Sequence, residues 1–253
     1  MARSSYSAAD RFSRGRSSAL TLLIDADDTL WENNIYFLEV TERFAEELER
    51  HGIPGEQARA ELTNTERRNV PIHGYGSRAF ALSLAEAFRA LAPHSELASL
   101  EALVALARGI HERDEMTLLP GVAEALEALS ERCRLILVTK GEQIEQWGKV
   151  QRSGLERYFE SVEVVPEKDE ATYRSIVQRL DLDPERTWMV GNSPRSDINP
   201  ALAAGLRAVL VPHPHTWELE VEEVHEYGER LVIADGFGDL VALFAPDGAS
   251  SVD

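Results

Sequence analysis

The stretch Leu22-Leu23-Ile24-Asp25-Ala26-Asp27-Asp28-Thr29-Leu30-Trp31 runs an apolar strand straight into three carboxylates. Like charges this close destabilise one another unless they share a cation or a proton, so the cluster is a candidate metal and proton-transfer site. The plainer reading is a strand end followed by an Asp-rich turn whose side chains cap backbone N–H groups. What the rest of the chain brings to the end of this strand decides between them.

The chain around it has 253 residues, 43% of them hydrophobic, enough to bury a full core in one large domain or two smaller ones. A formal net charge of -18 argues against nucleic acid as a partner, because phosphate backbones attract basic faces, and the excess acid reads as a solvated surface. No apolar run approaches the roughly 18 residues of a membrane span, and the amino terminus lacks the apolar centre of a secretory signal. Neither a membrane nor a nucleic acid is therefore expected as a partner. Cys133 is the only cysteine, which rules out an internal disulfide and a thiolate zinc site and fits a reducing cytoplasm. Because it opens the apolar run Arg134–Val138, it is expected to be a small buried hydrophobe.

Residues 1–18, rich in Ser and Arg, read as a disordered tail, and 246–253 as a second tail. After a strand over Leu20–Ile24, apolar periodicity predicts four helices, Ile35–Arg50, Glu56–Arg68, Arg78–Leu91 and Leu97–Glu112, before any further strand. From Leu119-Pro120-Gly121 onward the pattern alternates: helix 122–131, strand 134–139, helix 142–152, strand 161–165, helix 170–180, strand 187–191, then strands 208–211 and 231–234. The expected fold is α/β, a doubly wound parallel sheet (residues 19–32 plus 116–245) interrupted by an all-helical domain over 33–115. Insertion at a strand's carboxyl end places that domain over the ligand crevice, where a lid excludes water and completes the site.

Polar residues stand at the carboxyl ends of three of these strands: Asp25 and Asp27, then Thr139, then Asn192 to Asp197. Lys168, just beyond a further strand in Val164-Val-Pro-Glu-Lys168, makes a fourth piece. Open α/β sheets bind ligands at this edge.

In these residues the chain resembles the haloacid dehalogenase superfamily, in particular its magnesium-dependent phosphatases with a helical cap directly after the first motif. The resemblance spans most of residues 20–235, and its most specific part is Leu23-Ile-Asp25-Ala-Asp27-Asp28-Thr29-Leu30. It implies that Asp25 attacks a phosphoryl group to form an aspartyl-phosphate, and that Asp27 carries the proton to the leaving alkoxide and then from the hydrolytic water. Such a proton carrier needs a pKa moved from that of a free carboxylate. The resemblance further implies Mg2+ held by Asp25, the backbone carbonyl of Asp27 and the positions of Asn192 and Asp197, because a dianionic substrate and an anionic nucleophile repel each other. Thr139 would then bind phosphoryl oxygens, and Lys168 would neutralise the nucleophile and the transition state. Asp28 receives no catalytic role. Asn192 departs from the family, which most often has a metal-binding aspartate there; one negative charge is missing.

Substrate choice is expected to rest on Asn69-Val-Pro-Ile-His73-Gly-Tyr75-Gly-Ser-Arg78, whose glycines permit a tight backbone while His73, Tyr75 and Arg78 supply contacts. Lys140 is a further candidate charge, and Pro212-His213-Pro-His215 reads as a rigid surface loop rather than a metal pair. The expected activity is hydrolysis of a small phosphorylated metabolite. A dehalogenase of the same superfamily has no use for Asp27 and Asp197; a phosphomutase, and a catalytically weak phosphate-binding regulatory protein, complete the alternatives.

Overall fold

Leu22, Leu23 and Ile24 are fully buried because β1 (Thr21–Ile24) is a central strand of the sheet and is covered on both faces. The computed structural model describes residues 20–95, 97–113, 116–225 and 228–245; both expected tails lie outside the described residues. The remaining strands are β2 (Arg134–Lys140), β3 (Ser161–Val165), β4 (Thr187–Gly191), β5 (Arg207–Leu210) and β6 (Leu231–Ile233). They pair in the order β3-β2-β1-β4-β5-β6, and each pairing is parallel.

Strand alternation sets the two faces. Leu22, Ile24, Leu135 and Leu137 enter one apolar cluster, with α5 (Val122–Ser130) and α9 (Leu240–Phe244). Leu23, Ile136 and Val138 enter the other, with α7 (Glu170–Arg179) and α8 (Asn199–Ala203). Each such side chain taken from water contributes about 1.5–3 kcal/mol, and a one-residue slip would exchange the two sets. Cys133 is buried in the first cluster, and burial pushes its thiol up to about 11, so it packs as the expected hydrophobe.

Between β1 and β2 lie α1 (Asn34–Arg50), α2 (Gly55–His73), α3 (Ser77–Leu91) and α4 (Leu97–Gly109), which share an apolar cluster of their own around Phe44, Leu48, Leu62, Leu84 and Phe88. Helix α2 runs five residues past the expected Arg68 and carries Pro71 inside it. A proline so near the C-terminus removes one ladder hydrogen bond without stopping the last turn. The chain enters and leaves this helical insertion through paired segments, with Glu32 N–H donating to Thr117 O (2.9 Å) and Leu119 N–H to Leu30 O (2.9 Å). No helix among the described residues is long and apolar enough to cross a membrane.

Candidate active site

Strand order reverses between β1 and β4, and a crevice opens there beyond the carboxyl ends of the strands. It holds a cavity of about 350 Å³, with the sheet edge as its floor and the helical insertion as its roof.

Asp25 leaves β1 into the floor and is 6% exposed. One carboxylate oxygen accepts from Thr29 Oγ1 at 2.9 Å, and the other accepts from Lys168 Nζ. Lys168, delivered by the segment after β3, also donates to Asp197 at 2.7 Å. Asp197 sits on a π-helical turn over Pro194–Ile198, in which the Ile198 N–H reaches back to Ser193 O at 3.1 Å. Gly191 makes this approach possible: a Cβ there would stand 2.2 Å from an Asp197 carboxylate oxygen. One ammonium cannot neutralise two buried carboxylates. Burial, then Asp197, push Asp25 up to about 7 against the pull of Lys168. Burial works against the Lys168 ammonium too, but Asp197 and Asp25 outweigh it and hold its proton more firmly than in a free lysine.

Asp27 lies in a different setting. It accepts from Lys149 Nζ (2.7 Å), Gln146 Nε2 (3.0 Å) and Trp31 Nε1 (2.8 Å). Burial opposes its ionisation, yet Lys149 with these donors holds the carboxyl below its ordinary value. Asp27 is thus shifted in the direction opposite to Asp25. Gln146 and Lys149 lie one turn apart on α6 (Gln143–Ser153), which starts just after β2, so one helix face supplies both donors. Thr139, at the end of β2, is buried and donates to Gln146 Oε1 at 3.1 Å. Asn192 is buried beside Thr29, whose hydroxyl lies 3.3 Å from the amide oxygen; its Nδ2 donates to Thr216 at 3.1 Å.

The third carboxylate of the opening cluster does cap a helix. Asp28, at a left-handed φ of 60°, accepts from the backbone N–H groups of Asn33 (2.9 Å) and Asn34 (3.0 Å) at the start of α1. His213 lies 3.8 Å from Asp28 and 3.3 Å from Glu32. The segment Pro212–Trp217 is thus not a free surface loop. The His213 side chain is 7% exposed, and Pro214 to Trp217 line the crevice.

Of the three residues expected to choose the substrate, only Tyr75 lines the cavity; His73 and Arg78 are exposed and outside its lining. His73 ends the longer α2 and is exposed. Tyr75 donates to Glu167 at 2.5 Å, and the Lys140 ammonium lies 4.1 Å from its ring centre. Lys140 is held in turn by Glu220 (2.5 Å) and Ser196 (2.6 Å). Among the hydrogen bonds that join roof to floor are this Tyr75–Glu167 bond and those of Glu145 on α6, which accepts from the Ser77 N–H (3.2 Å) and hydroxyl (3.1 Å).

The potential ligand atoms grouped here are oxygens, those of the Asp25 and Asp197 carboxylates and of the Asn192 amide. With an excess negative charge at their centre, they suit a hard divalent cation such as Mg2+ rather than a thiophilic one.

A family model described as haloacid dehalogenase-like hydrolase matches residues 20–205. A glyceraldehyde 3-phosphate phosphatase of Methanothermobacter thermautotrophicus is 32% identical over 120 residues, 46% of this chain and 53% of that protein, so the match spans about half its length. Another of the same name, from Pyrococcus furiosus, is 25% identical over 225 residues, 83% of this chain and 88% of the other. A solved haloacid dehalogenase-like family hydrolase from Xanthomonas campestris superposes with a TM-score of 0.79 at 30% identity, covering 91% of this chain and 93% of that one.

Proposed function

The chain belongs to the haloacid dehalogenase-like hydrolase family, and from that premise we propose that it hydrolyses a small phosphate monoester with Asp25 as the nucleophile. The observation that carries this reading is the convergence of Asp25, Lys168 and Asp197, drawn from three separate loops, at the switch point of the sheet. The relatives named as phosphatases support the same chemistry. Residues 33–115 act as the cap and the remainder of 19–245 as the core.

In this reading Lys168 draws off charge from the Asp25 carboxylate and steadies the incoming phosphoryl group. An Asp25 oxygen forms a bond to phosphorus as the ester oxygen leaves with the electrons of the broken bond, giving an aspartyl-phosphate. Thr139, released from Gln146, donates its hydroxyl to a phosphoryl oxygen. Asp27 protonates the departing alkoxide and then takes a proton from the water that cleaves the intermediate. Paired with Lys149, Asp27 is ionised, the state the second half of the reaction needs; the first half calls for loosening that pair. Asp25, Asp197, Asn192 and the Asp27 carbonyl would hold Mg2+, which when bound supplies charge to offset repulsion between substrate and nucleophile. The cap keeps bulk water from the floor. We infer a cytoplasmic setting, in keeping with a single cysteine, and a small phosphorylated metabolite as substrate.

Phosphate release from p-nitrophenyl phosphate, with and without Mg2+, tests this. Metal-dependent turnover that falls at least about a thousandfold in Asp25→Asn is expected. Absence of turnover across a broad panel of phosphate esters would remove the enzyme reading and leave a phosphate-binding protein.

A further inference from the structure

The roof of the cavity contains a charge arrangement that phosphate chemistry does not use. Glu66, on α2, lines the cavity, as do Phe37, Leu62, Val70 and Phe80. Among the described residues no hydrogen bond or ion pair reaches its carboxyl group. The charge that acts on it is another carboxylate, Glu218, from the segment after β5, which lines the same cavity. Burial and then Glu218 push Glu66 up to about 8. The Phe37 and Phe80 rings meet edge to face, 5.1 Å between centres. The lysines that line the cavity are engaged elsewhere: Lys140 with Glu220, Lys149 with Asp27, Lys168 with Asp25 and Asp197.

Two carboxyl groups without a paired cation and two aromatic rings, all in the walls of one cavity, describe the complement of a positive group with apolar flanks. A hydroxyl on the ligand would occupy one oxygen and leave the repulsion in place. An apolar group would match the rings and bury the carboxyl unpaired. An ammonium satisfies both, because its charge meets the carboxylates and its methylene or methyl groups lie on the rings. The cavity, about 350 Å³, is within the range of roughly 300–1,000 Å³ for small-molecule sites and leaves room beyond a phosphate.

We propose that Glu66, aided by Glu218, Phe37 and Phe80, selects a phosphomonoester whose alcohol carries an ammonium group, with phosphate on the floor and cation against the roof. This rests on the phosphatase reading for the reaction, though not for the binding.

The test pairs choline phosphate with 3,3-dimethylbutyl phosphate, its neutral counterpart with carbon in place of nitrogen. Calorimetry gives affinities, and phosphate release gives kcat/KM. The intact protein should favour the cationic ester about tenfold or more, the ratio should fall to near one in Glu66→Gln, and Glu66→Asp should keep part of it. Equal or reversed preference in the intact protein, or a preference that survives Glu66→Gln, overturns the proposal. p-Nitrophenyl phosphate separates the two ideas. Its turnover without cation preference leaves the phosphatase reading and removes this one; cation-selective binding without turnover of any ester does the opposite.

Discussion

On the floor of the crevice Asp25 and Asp197 share Lys168, Asp27 holds Lys149, and Glu220 holds Lys140; on the roof Glu66 lines the same cavity with no cation paired to it among the described residues. Both walls bury acids, so burial alone does not distinguish them. The difference lies in who supplies the compensating charge. In the proposed reaction the floor receives an anion, and its lysines offset most of the local negative charge before the substrate arrives. The roof keeps Glu66 uncompensated, a cost that only a ligand or a proton relieves.

Making the floor resemble the roof should have the largest effect. Lys168→Met removes the ammonium shared by Asp25 and Asp197 and leaves two carboxylates at 6% and 1% exposure facing each other. Removing one partner from a buried pair costs about 3–5 kcal/mol. A clearly lower melting temperature is expected, together with at least about a hundredfold loss in kcat on an aryl phosphate. A variant that melts and turns over like the parent would show that the floor does not rely on this cation.

A smaller change pushes the floor's charge the other way. Asn192→Asp restores the carboxylate usual in the family, next to Thr29 and within the oxygen set around Asp25. Because ligand charge tunes divalent affinity, magnesium binding by titration should tighten about tenfold. Unchanged affinity would mean that Asn192 shapes the turn after Gly191 and has no part in holding metal.

The floor was legible in the sequence and the roof was not, for a physical reason. Strand ends in a parallel sheet converge by topology, so once β1, β2 and β4 were recognised from their apolar runs, Asp25, Thr139 and Asp197 had to meet. Strands 161–165 and 187–191 are observed with the expected bounds. Lys149 and Gln146 left a fainter trace, a one-turn spacing on the helix that follows β2. Glu66 left none, since its role depends on how α2 is tilted over the crevice and on a loop 152 residues further along the chain. The same limit applies to His73 and Arg78. The Gly-rich segment suggested contacts, but α2 continues through Pro71 to an exposed His73, so of the three expected side chains only Tyr75 lines the cavity.

The smallest effect concerns the roof without any ligand, and its sign follows from linkage. Glu66 has a folded-state pKa of about 8 against an ordinary 4.5, so the folded protein retains a proton that the unfolded chain releases between those values. Stability from this group is fully present below about pH 4.5 and declines as pH rises toward 8. Glutamine cannot ionise and escapes this decline. Glu66→Gln should therefore match the parent near pH 4 and melt a few degrees higher at pH 8, with the gap opening between; solvent in the crevice screens part of the effect. Melting curves across that range check it. A gap that stays constant with pH would show that Glu66 carries its charge in the free protein without strain, and the contrast between floor and roof would then reduce to geometry alone.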